Sequence, residues 1–516
     1  MYYIKSKRIQ SIELSLNITK ILWFMAQSIK MKTKTHPEMD LTSGNLFLKI
    51  PLFALPMALS TILQLLYSTV DLFTVSHYGG GNLSMSAVGS NSALVNLIIT
   101  LFVSLAVGAN VALGNAKGAD NKEKAQKVLS TSMILSVIVG ILVGIIGYFI
   151  SPLLLKAMKT PDDILSLATT YLKIYFIGLP FMMIYNFGSQ ILRALGDSRR
   201  PFYFLAISGI INIAFDLLFV IVFDLDVVGV ALATIISEAI SAALVILWLT
   251  FNKKGYVRLD FKHLILDRES LVDILKIGIP AGLQGLGFCI PNVLIQSSLY
   301  TIHNYTINGI PISEDEILSG ASASSQIEGY VYAFVEAFAL SCVSFVGQNF
   351  GAGKKENIKK IYWYSMAWMA IFCVLCSLLV LIIPNQLLSI FISNSELEDG
   401  TTQIIKENAL AAGRERMYMM VFTYVLDGFM DVSSQYLRGM KHSTAPAIIT
   451  LIGCTGTRIV FIFTLFTYVS YFHTIFWLYF CYPLSWMFVD LIYIPVTIML
   501  QKKAFKAIDE RTAKAA

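Results

Sequence analysis

The sequence predicts an all-α polytopic membrane protein whose twelve transmembrane helices form two similar six-helix halves. Of its 516 residues, 56% are apolar and only 14% are charged, whereas a soluble globular protein carries roughly 25% charged residues. An apolar run of about 20 residues spans the hydrocarbon core of a bilayer, and twelve such runs can be placed. Two short blocks of sequence at the ends of these runs occur twice, once in each half.

The twelve predicted spans follow one another with short polar connections. They cover residues 48–76, 85–113, 129–150, 165–192, 202–223, 228–251, 272–300, 320–347, 362–384, 408–437, 446–470 and 474–500. We therefore expect an amino-terminal lobe over 45–252, a linker over 253–270 and a carboxy-terminal lobe over 271–500. Cytoplasmic segments over 1–44 and 501–516 flank the lobes.

The duplicated blocks indicate what such a protein does. Residues 114–119 (GNAKGA), after the second span, return as residues 347–352 (GQNFGA) after the eighth. Leu192-Arg193 likewise returns as Leu437-Arg438. A membrane protein built from two similar halves usually carries a solute between them, because the seam can open alternately to either side. The sequence therefore indicates a transporter.

The charges of the loops predict the orientation. Lys and Arg concentrate in the loops that follow the even-numbered spans and in the carboxy-terminal tail, while the opposite loops are mainly acidic. By the positive-inside rule both termini are cytoplasmic, which predicts a multi-pass protein of the cell membrane. The same asymmetry explains the net charge of +6. No nucleic-acid partner is expected, since no basic stripe alternates with exposed aromatic residues.

The cysteines and the amino terminus carry weaker information. All six cysteines fall inside apolar spans and are interpreted as small core residues without disulfides. Cys373 and Cys376 form a C-x-x-C pair, which is a weak metal signal without a second pair. Residues 1–30 are basic and mildly amphipathic and lack a signal-peptide cleavage site. They fit either a surface helix or, as we favour, an extension upstream of a natural start near Met39.

Ionisable residues inside the spans are candidates for function, because charge at membrane depth is costly. Eight acids fall in or near the spans: Asp71, Asp216, Glu238, Glu328, Glu336, Asp427, Asp431 and Asp490. Only two bases, Lys173 and Arg458, are expected at that depth. This excess of acids predicts a cavity that attracts cations.

The first half contains a candidate cation site. Asn212 and Asp216 are four residues apart and share one helix face. Asp71, Asn186 and Thr234 supply further oxygens from the first, fourth and sixth spans. Such oxygens suit Na⁺, and the two carboxylates could instead carry protons. The alternative, that Asn212 and Asp216 only hold helices together by hydrogen bonds, stays open on spacing alone.

The second candidate is a substrate cavity. Gln64 and Ser68 lie in one polar stripe with Asp71 on the first span, although Asp71 also fits an interfacial position. On the tenth span, two acids lie one turn apart. An aromatic-rich stretch on the eighth includes another acid, which would suit a lipophilic organic cation or simple packing. The candidates for this cavity are Gln64, Tyr67, Gln284, Glu336, Asp427 and Asp431.

The sequence resembles the multidrug and toxic compound extrusion (MATE) family. The motifs that carry the resemblance occur in order between about residue 39 and residue 500. They are residues 66–71 (LYSTVD), 191–197 (ILRALGD), 211–216 (INIAFD), 229–234 (GVALAT) and 347–353 (GQNFGAG). No single motif is specific, but their order and spacing are.

The resemblance implies a twelve-helix antiporter whose lobes form a V around a central cavity. Such proteins exchange Na⁺ or H⁺ for cationic or amphipathic compounds, which implies a small-molecule partner, and we expect a monomer. In the DinF-like branch the cation site lies in the first lobe. By resemblance that site falls on Asp71, Asn186, Asn212, Asp216 and Thr234.

The sequence departs from the family pattern at several positions. Ser68 and Ser76 stand where Asn and Gly are expected, and Lys441-His442 replaces Gly-Asp in the second half. The seventh-helix Glu of another branch falls on Phe288, which argues against a second-lobe cation site of that type. Asp427 does match the tenth-helix acid of that branch.

Other function classes fit the sequence less well. A flippase for a lipid-linked saccharide or another amphipath is the alternative, although it would favour a cationic cavity. A membrane enzyme would need a motif such as H-E-x-x-H or a phosphate-binding loop, and the sequence has neither. No catalytic residue and no cofactor beyond the coupling ion, H⁺ or Na⁺, is therefore expected.

Overall fold

The structure is a computed structural model that describes residues 38–515 except 300, 303–304, 308–309, 393–394 and 397–401. Residues 1–30, interpreted above as an upstream extension or a surface helix, lie outside this part. The first half forms helices α1 Leu46–Tyr78, α2 Asn82–Gly118, α3 Lys122–Ala157, α4 Asp162–Ala194, α5 Arg199–Val222 and α6 Asp226–Phe251. The second forms α7 Arg268–Leu299, α8 Glu314–Gly351, α9 Lys355–Ile382, α10 Lys406–Gly439, α11 Thr444–Phe466 and α12 Ile475–Ala515.

Shorter elements connect or interrupt these helices. Isolated helical turns occupy Phe261–His263, Pro384–Leu388 and Ser470–Phe472. Wider π-helical turns occupy Leu218–Val222 in α5 and Leu451–Gly456 and Ile462–Phe466 in α11. Two small antiparallel hairpins pair Thr306–Ile307 with Ile310–Pro311, and Ser395–Glu396 with Thr402–Ile404.

The prediction of an all-α polytopic membrane protein is confirmed. Within the described residues, eleven helices are long and apolar enough to cross a bilayer. The helix that fails this test is α10, which spans 34 residues and contains Arg416, Asp427, Asp431 and Arg438. A helix this polar is stable in a membrane only if its polar face is turned away from lipid.

Local sequence sets where several helices begin. Asn45 accepts a hydrogen bond from the amide of Leu48 at the start of α1, and Asn121 caps α3 in the same way. Ser313 and Glu316 form a reciprocal capping box at the start of α8. Each of these side chains satisfies an amide that the helix itself cannot.

The outer helix faces are apolar. On α3, Leu142, Ile145 and Phe149 are 55%, 54% and 75% exposed. Leu491 and Ile494 on α12 are similarly exposed. Large aliphatic and aromatic side chains exposed in this pattern mark surfaces that lipid covers.

Each half contributes its first helix to the contact with the other half. Helix α7 packs along α2, and α1 packs along α8. The first part of α1 belongs to the core of the second half, where Phe53 meets Phe345 edge-on with ring centroids 5.5 Å apart. The second part of α1 packs on α5, where the Tyr67 hydroxyl donates to the carbonyl of Leu205. Helix α1 is therefore attached to both halves, with Pro56 between the two attachments.

The duplicated blocks form the contact that closes one end of the molecule, which we call the closed end. Asn115 of the first half donates to the carbonyl of Gly439 at the end of α10, at 3.4 Å. Gln348 of the second half donates to the carbonyl of Ala194 at the end of α4, at 2.6 Å. The two bonds are reciprocal, because each block caps the helix that ends in the repeated Leu-Arg pair of the other half.

Two glycines allow this approach. A side chain at Gly118 would collide with the carbonyl oxygen of Gln348, and one at Gly351 with that of Asn115. Both glycines belong to the duplicated blocks. The repeat seen in the sequence is thus the contact surface between the halves.

The N-terminal segment, residues 38–43, crosses the closed end. The amide of Met39 donates to the carbonyl of Gly196 in the first half. Asn349 in the second half donates to the carbonyl of Leu41, whose side chain is fully buried. Gly196 has φ +89°, and a side chain there would collide with Met39. The segment therefore binds both halves at once.

The N-terminal segment contains one strongly perturbed acid. Partial burial acts to raise the pKa of Asp40, but hydrogen bonds from Ser43 and Thr42 outweigh it and hold the pKa at about 2. The Lys49 ammonium also favours the charged form. Asp40 therefore stays ionised throughout the pH range in which cells grow.

Candidate functional site

A central cavity of about 800 Å³ lies between the two halves. Ten of the long helices contribute lining residues: α1, α2 and α4 to α6 from the first half, and α7, α8 and α10 to α12 from the second. The polar face of α10 is turned into this cavity, which accounts for its composition. The arrangement fits two lobes around a shared central space.

The first site on the cavity is a pair of contacting carboxylates. Asp71 on α1 lines the cavity, and Asp216 on α5 lies directly behind it with no exposed surface. Their side chains meet, yet neither Asp216 oxygen finds a donor among the described residues. Two ionised carboxylates cannot donate to each other, so the contact needs a shared proton or a bound cation.

The other predicted ligands offer amide and hydroxyl oxygens to the same cavity. Asn212 lies one turn before Asp216, and Asn186 and Thr234 line the cavity beside it. Asn186 and Thr234 both donate to carbonyls of their own helices at 3.0 Å. Neither side-chain oxygen accepts a hydrogen bond among the described residues, so the oxygen lone pairs of both remain for a ligand. Four of the five predicted cation-site residues thus line the cavity, and the fifth, Asp216, contacts one of them, Asp71.

An apolar cluster packs between the helices of this region. It consists of the buried residues Val75, Val88, Tyr171, Val220, Val227, Val230 and Ala231, of which Tyr171 also lines the cavity. Asp216 itself does not line the cavity, whereas Asp71, which contacts it, does. A proton or cation that enters from the cavity would reach Asp71 first.

Glu238 joins the same site, although it was not among the predicted ligands. It lines the cavity on α6, one turn after Thr234. Tyr171 and Tyr175 on α4 both lie close enough to Glu238 to interact with it electrostatically. The signal was present in the sequence, because Thr234 and Glu238 repeat the four-residue spacing of Asn212 and Asp216.

The six predicted substrate-cavity residues all line the cavity: Gln64, Tyr67, Gln284, Glu336, Asp427 and Asp431. Tyr332 donates to Asp431 at 2.9 Å, and Thr61 on α1 donates to Glu336 at 3.3 Å. Asp490 is not a lining residue, and neither of its carboxylate oxygens has a partner in the described part of the chain.

A buried ion pair occupies the opposite wall. Arg416 on α10 forms two hydrogen bonds to Glu328 on α8, at 2.9 and 3.0 Å. Both side chains are at most 7% exposed. Ser324 and Tyr424 also donate to Glu328. The Arg416 guanidinium therefore binds the Glu328 carboxylate in a bidentate arrangement, with one hydrogen bond to each carboxylate oxygen.

The expectation of only two bases at membrane depth is wrong. Four arginines line the cavity: Arg193, Arg416, Arg438 and Arg458. Lys173 is not a lining residue and lies over the ring of Tyr148, 5.3 Å from its centroid. Arg193 and Arg438 follow the ends of their predicted spans, and their long side chains reach back into the cavity. The cavity therefore carries charges of both signs.

Comparison with known proteins identifies the family. The family model MatE matches residues 56–218 and 289–464. The chain belongs to the MatE family. MatE proteins are multidrug efflux transporters that span the membrane many times, and they are not enzymes.

Curated MatE relatives agree with this assignment. The probable multidrug resistance protein YpnP of Bacillus subtilis is 27% identical over 413 residues, which cover 80% of this chain and 87% of that protein. The multidrug export protein MepA of Staphylococcus aureus is 24% identical over 357 residues, or 69% and 75% of the two chains.

Solved structures show the same MatE fold. A MOP superfamily transporter from Pyrococcus furiosus, with a binding pocket described as reversed in polarity, has a TM-score of 0.80 at 22% identity. It matches 91% of this chain and 99% of its own. A MATE transporter solved in an outward-facing conformation has a TM-score of 0.77 at 22% identity, covering 92% and 100%.

Metal binding in this MatE protein would have to depend on few charges. The described residues hold no group of three or more His, Cys, Asp or Glu side chains placed to bind a metal ion. A coupling cation would be bound by two carboxylates with amide and hydroxyl oxygens. Such a ligand set suits a weakly held monovalent ion better than a resident divalent one.

Cys289 is a native reporter of cavity access. It lines the cavity on α7, whereas Cys342, Cys373, Cys454 and Cys481 are buried. We expect a charged, membrane-impermeant thiol reagent applied to intact cells to label the wild type, detected by a mass shift of the purified protein.

The control for this labelling is a pair of serine variants. Cys289→Ser should abolish the label, and Cys376→Ser should leave it unchanged because Cys376 is not a lining residue. Labelling of intact cells requires that the cavity opens to the outside of the cell. Labelling of inside-out vesicles but not of intact cells would mean that it opens to the cytoplasm.

Proposed function

We propose that this transporter exports cationic or amphipathic compounds in exchange for H⁺ or Na⁺ by alternating access, acting as a monomer. The coupling ion binds at Asp71, Asn186, Asn212, Asp216 and Thr234, as in the DinF-like branch. The observation that carries this proposal is the buried contact between Asp71 and Asp216, which has no donor of its own and is approached from the cavity.

Helix α1 connects ion binding to movement of the lobes. When the site is empty and both acids are ionised, Asp71 and Asp216 repel each other, and a bound proton or cation removes that repulsion. The other end of α1 is held in the core of the second half. Pro56 removes one helix hydrogen bond between the two ends and permits a bend there. Ion binding then favours one arrangement of the lobes over another.

The direction of the cycle follows from the charged loops. The closed end adjoins basic loops such as Lys122–Lys127 and Lys354–Lys360, which supports a cytoplasmic location for it and for both termini. The cavity then opens outward in this structure. Inward opening requires the reciprocal bonds of Asn115 and Gln348 to break.

The second half supplies the substrate contacts. Glu336, Asp427 and Asp431 face the cavity with Tyr332 beside them, and Gln64, Tyr67 and Gln284 complete the wall. Carboxylates next to aromatic rings favour organic cations with apolar bodies. The multidrug names of YpnP and MepA fit this substrate class.

A second candidate, a flippase for a lipid-linked saccharide or another amphipath, is favoured by one observation. The four cavity arginines could hold the phosphate of such a lipid. Six acids line the same cavity, however, and three of the four arginines already donate to protein groups. Drug efflux is therefore the primary proposal.

Transport by purified protein in sealed vesicles tests the proposal. A pH jump and a Na⁺ jump are imposed in separate experiments. We expect one of them to drive a fluorescent organic cation such as ethidium against its concentration gradient. The jump that drives transport identifies the coupling ion, and an ionophore that dissipates that gradient should stop it. Uphill movement that neither gradient affects would refute antiport.

A further inference from the structure

Arg193 is a cavity arginine with unused donors. It lies in the last turn of α4, next to Ala194, whose carbonyl takes part in the closed-end contact. Its side chain lines the cavity. In the described part of the structure its guanidinium makes no hydrogen bond and no ion pair, and its Nε is buried without a partner. The four N–H donors of its two terminal nitrogens are thus available to a ligand.

A structural counter-ion does not account for this arginine. Glu336 is near enough to interact electrostatically with Arg193, but the two form no salt bridge within 4.0 Å. Glu336 instead accepts a hydrogen bond from Thr61. An arginine at membrane depth is costly, and one without a partner points to a ligand that supplies the missing acceptor.

The duplicated position holds a second arginine. Arg438 is 4% exposed and lines the cavity from the opposite half. One of its terminal nitrogens donates to the side-chain oxygen of Gln284 at 2.6 Å. Its Nε has no partner among the described residues. Arg438 is therefore partly satisfied, and Arg193 is not.

The repeats explain this difference. Gln284 lies four residues after Pro280 in α7, and the residue four positions after Pro56 in α1 is Ser60. The Ser60 hydroxyl donates to the carbonyl of Pro56 at 2.9 Å. The first half thus has a short hydroxyl, turned to its own helix, where the second half has a long amide that binds its arginine.

The other two cavity arginines are engaged more fully, although one terminal nitrogen of Arg458 has no partner among the described residues. Arg416 is bound by Glu328 at two points. Arg458 donates to Ser485 at 2.9 Å and lies over the ring of Tyr482, 4.3 Å from its centroid. Among the cavity bases, Arg193 has the largest unused capacity and Arg438 the next.

We propose that Arg193, assisted by Arg438, forms an anion subsite beside the closed end that binds a carboxylate or phosphate of the transported molecule. This inference rests on the proposed function of the cavity as the substrate path. A planar guanidinium matches such groups with two parallel hydrogen bonds. The preferred substrates would then be zwitterionic amphipaths, whose cationic part faces Asp427 and Asp431 and whose anionic part faces Arg193.

Binding of two matched dyes to the purified full-length transporter tests this subsite. Rhodamine 110 has a free carboxylate, and rhodamine 123 is its methyl ester, so the two differ only in the group that Arg193 would bind. We expect Arg193→Ala to raise the Kd of rhodamine 110 about 10-fold or more. The Kd of rhodamine 123 should stay the same or fall. Fluorescence anisotropy measures both.

Two further variants keep the test specific. Arg193→Lys should restore part of the preference, since an ammonium keeps the charge but not the paired geometry. Arg268→Ala is the control, because Arg268 is exposed and does not line the cavity. Equal effects of Arg193→Ala on both dyes, or no effect on either, would overturn the proposal. Gel-filtration profiles verify that each variant is folded.

Competition identifies the source of the anion. Displacement of rhodamine 110 by short-chain phosphatidic acid from the wild type, but not from Arg193→Ala, would support a lipid phosphate in this subsite. Displacement by soluble aromatic carboxylates alone would support a drug-like anion. No displacement by either class would count against the subsite.

Failure of this inference is separable from failure of the proposed function. Dye binding is measured without an ion gradient, so Asp71→Asn should lose transport and keep the dye preference. If Asp71→Asn kept full efflux while Arg193→Ala lost the preference, the ion site would be wrong and the anion subsite would stand.

Discussion

Replacing Asp71 or Asp216 with Asn is expected to reduce drug efflux to the level of cells that lack the transporter. Asparagine has nearly the same shape as aspartate but cannot carry a proton or a negative charge at this position. The variants should fold, because a buried neutral amide costs less than an unpaired buried carboxylate. Ethidium accumulation in cells, with protein levels measured in parallel, reports the loss.

The choice of control makes this result specific to the site. Asp163→Asn changes an exposed acid at the start of α4 and should leave efflux unchanged. Glu238→Gln tests whether a cavity acid outside the pair is needed for efflux, since Glu238 lines the cavity but is not in contact with the pair. Full efflux by both Asp71→Asn and Asp216→Asn would show that the ion site lies elsewhere.

The same variants separate the two coupling ions. An amide oxygen can still coordinate Na⁺, whereas it cannot hold a proton at neutral pH. If Na⁺ is the coupling ion, high external Na⁺ should restore part of the transport by Asp216→Asn in vesicles. If H⁺ is the coupling ion, no gradient should restore it.

The largest expected loss of stability follows from breaking the pair between Glu328 and Arg416. Glu328→Gln leaves the Arg416 guanidinium buried without a counter-charge, which should lower the free energy of unfolding by about 3–5 kcal/mol. Denaturant-induced unfolding of purified protein in detergent measures the change. The temperature of thermal inactivation should also fall.

A double variant tests whether the loss comes from an unpaired charge. Glu328→Leu combined with Arg416→Met removes both charges and should recover most of the stability lost by either single change. Glu123→Gln is the matched control, because Glu123 pairs with Lys127 on the exposed surface and should produce no measurable loss. Losses that simply add in the double variant would mean that the pair does not stabilise the fold.

This pair also bears on the charge of the cavity. Glu328 and Arg416 neutralise each other, so neither is available to a substrate. The remaining acids of the cavity lie on α1, α6, α8 and α10, and the remaining arginines lie at the ends of α4 and α10 and in α11. We expect a cavity organised in this way to select for the distribution of charge in a substrate as well as for its net charge.

Much of the architecture could be predicted from local sequence patterns. Long apolar runs predicted twelve helices, and eleven helices of the described residues are long and apolar enough to span a bilayer, because a helix that faces lipid must be apolar whatever it packs against. The four-residue spacing of Asn212 and Asp216 placed both on one helix face. The spans were shorter than the helices, since helices such as α12 continue past the membrane into polar sequence.

By itself, then, the sequence determined the membrane class, the twelve spans, the duplication and the family. Only the tertiary structure decided that the duplicated blocks contact each other, that α1 belongs to both halves, and that Arg193 and Arg438 reach the cavity from outside their predicted spans. Periodicity reports which residues share a face of one helix. It does not report which distant helix lies opposite that face, or how far a flexible side chain extends toward that helix. Both determine which charges meet.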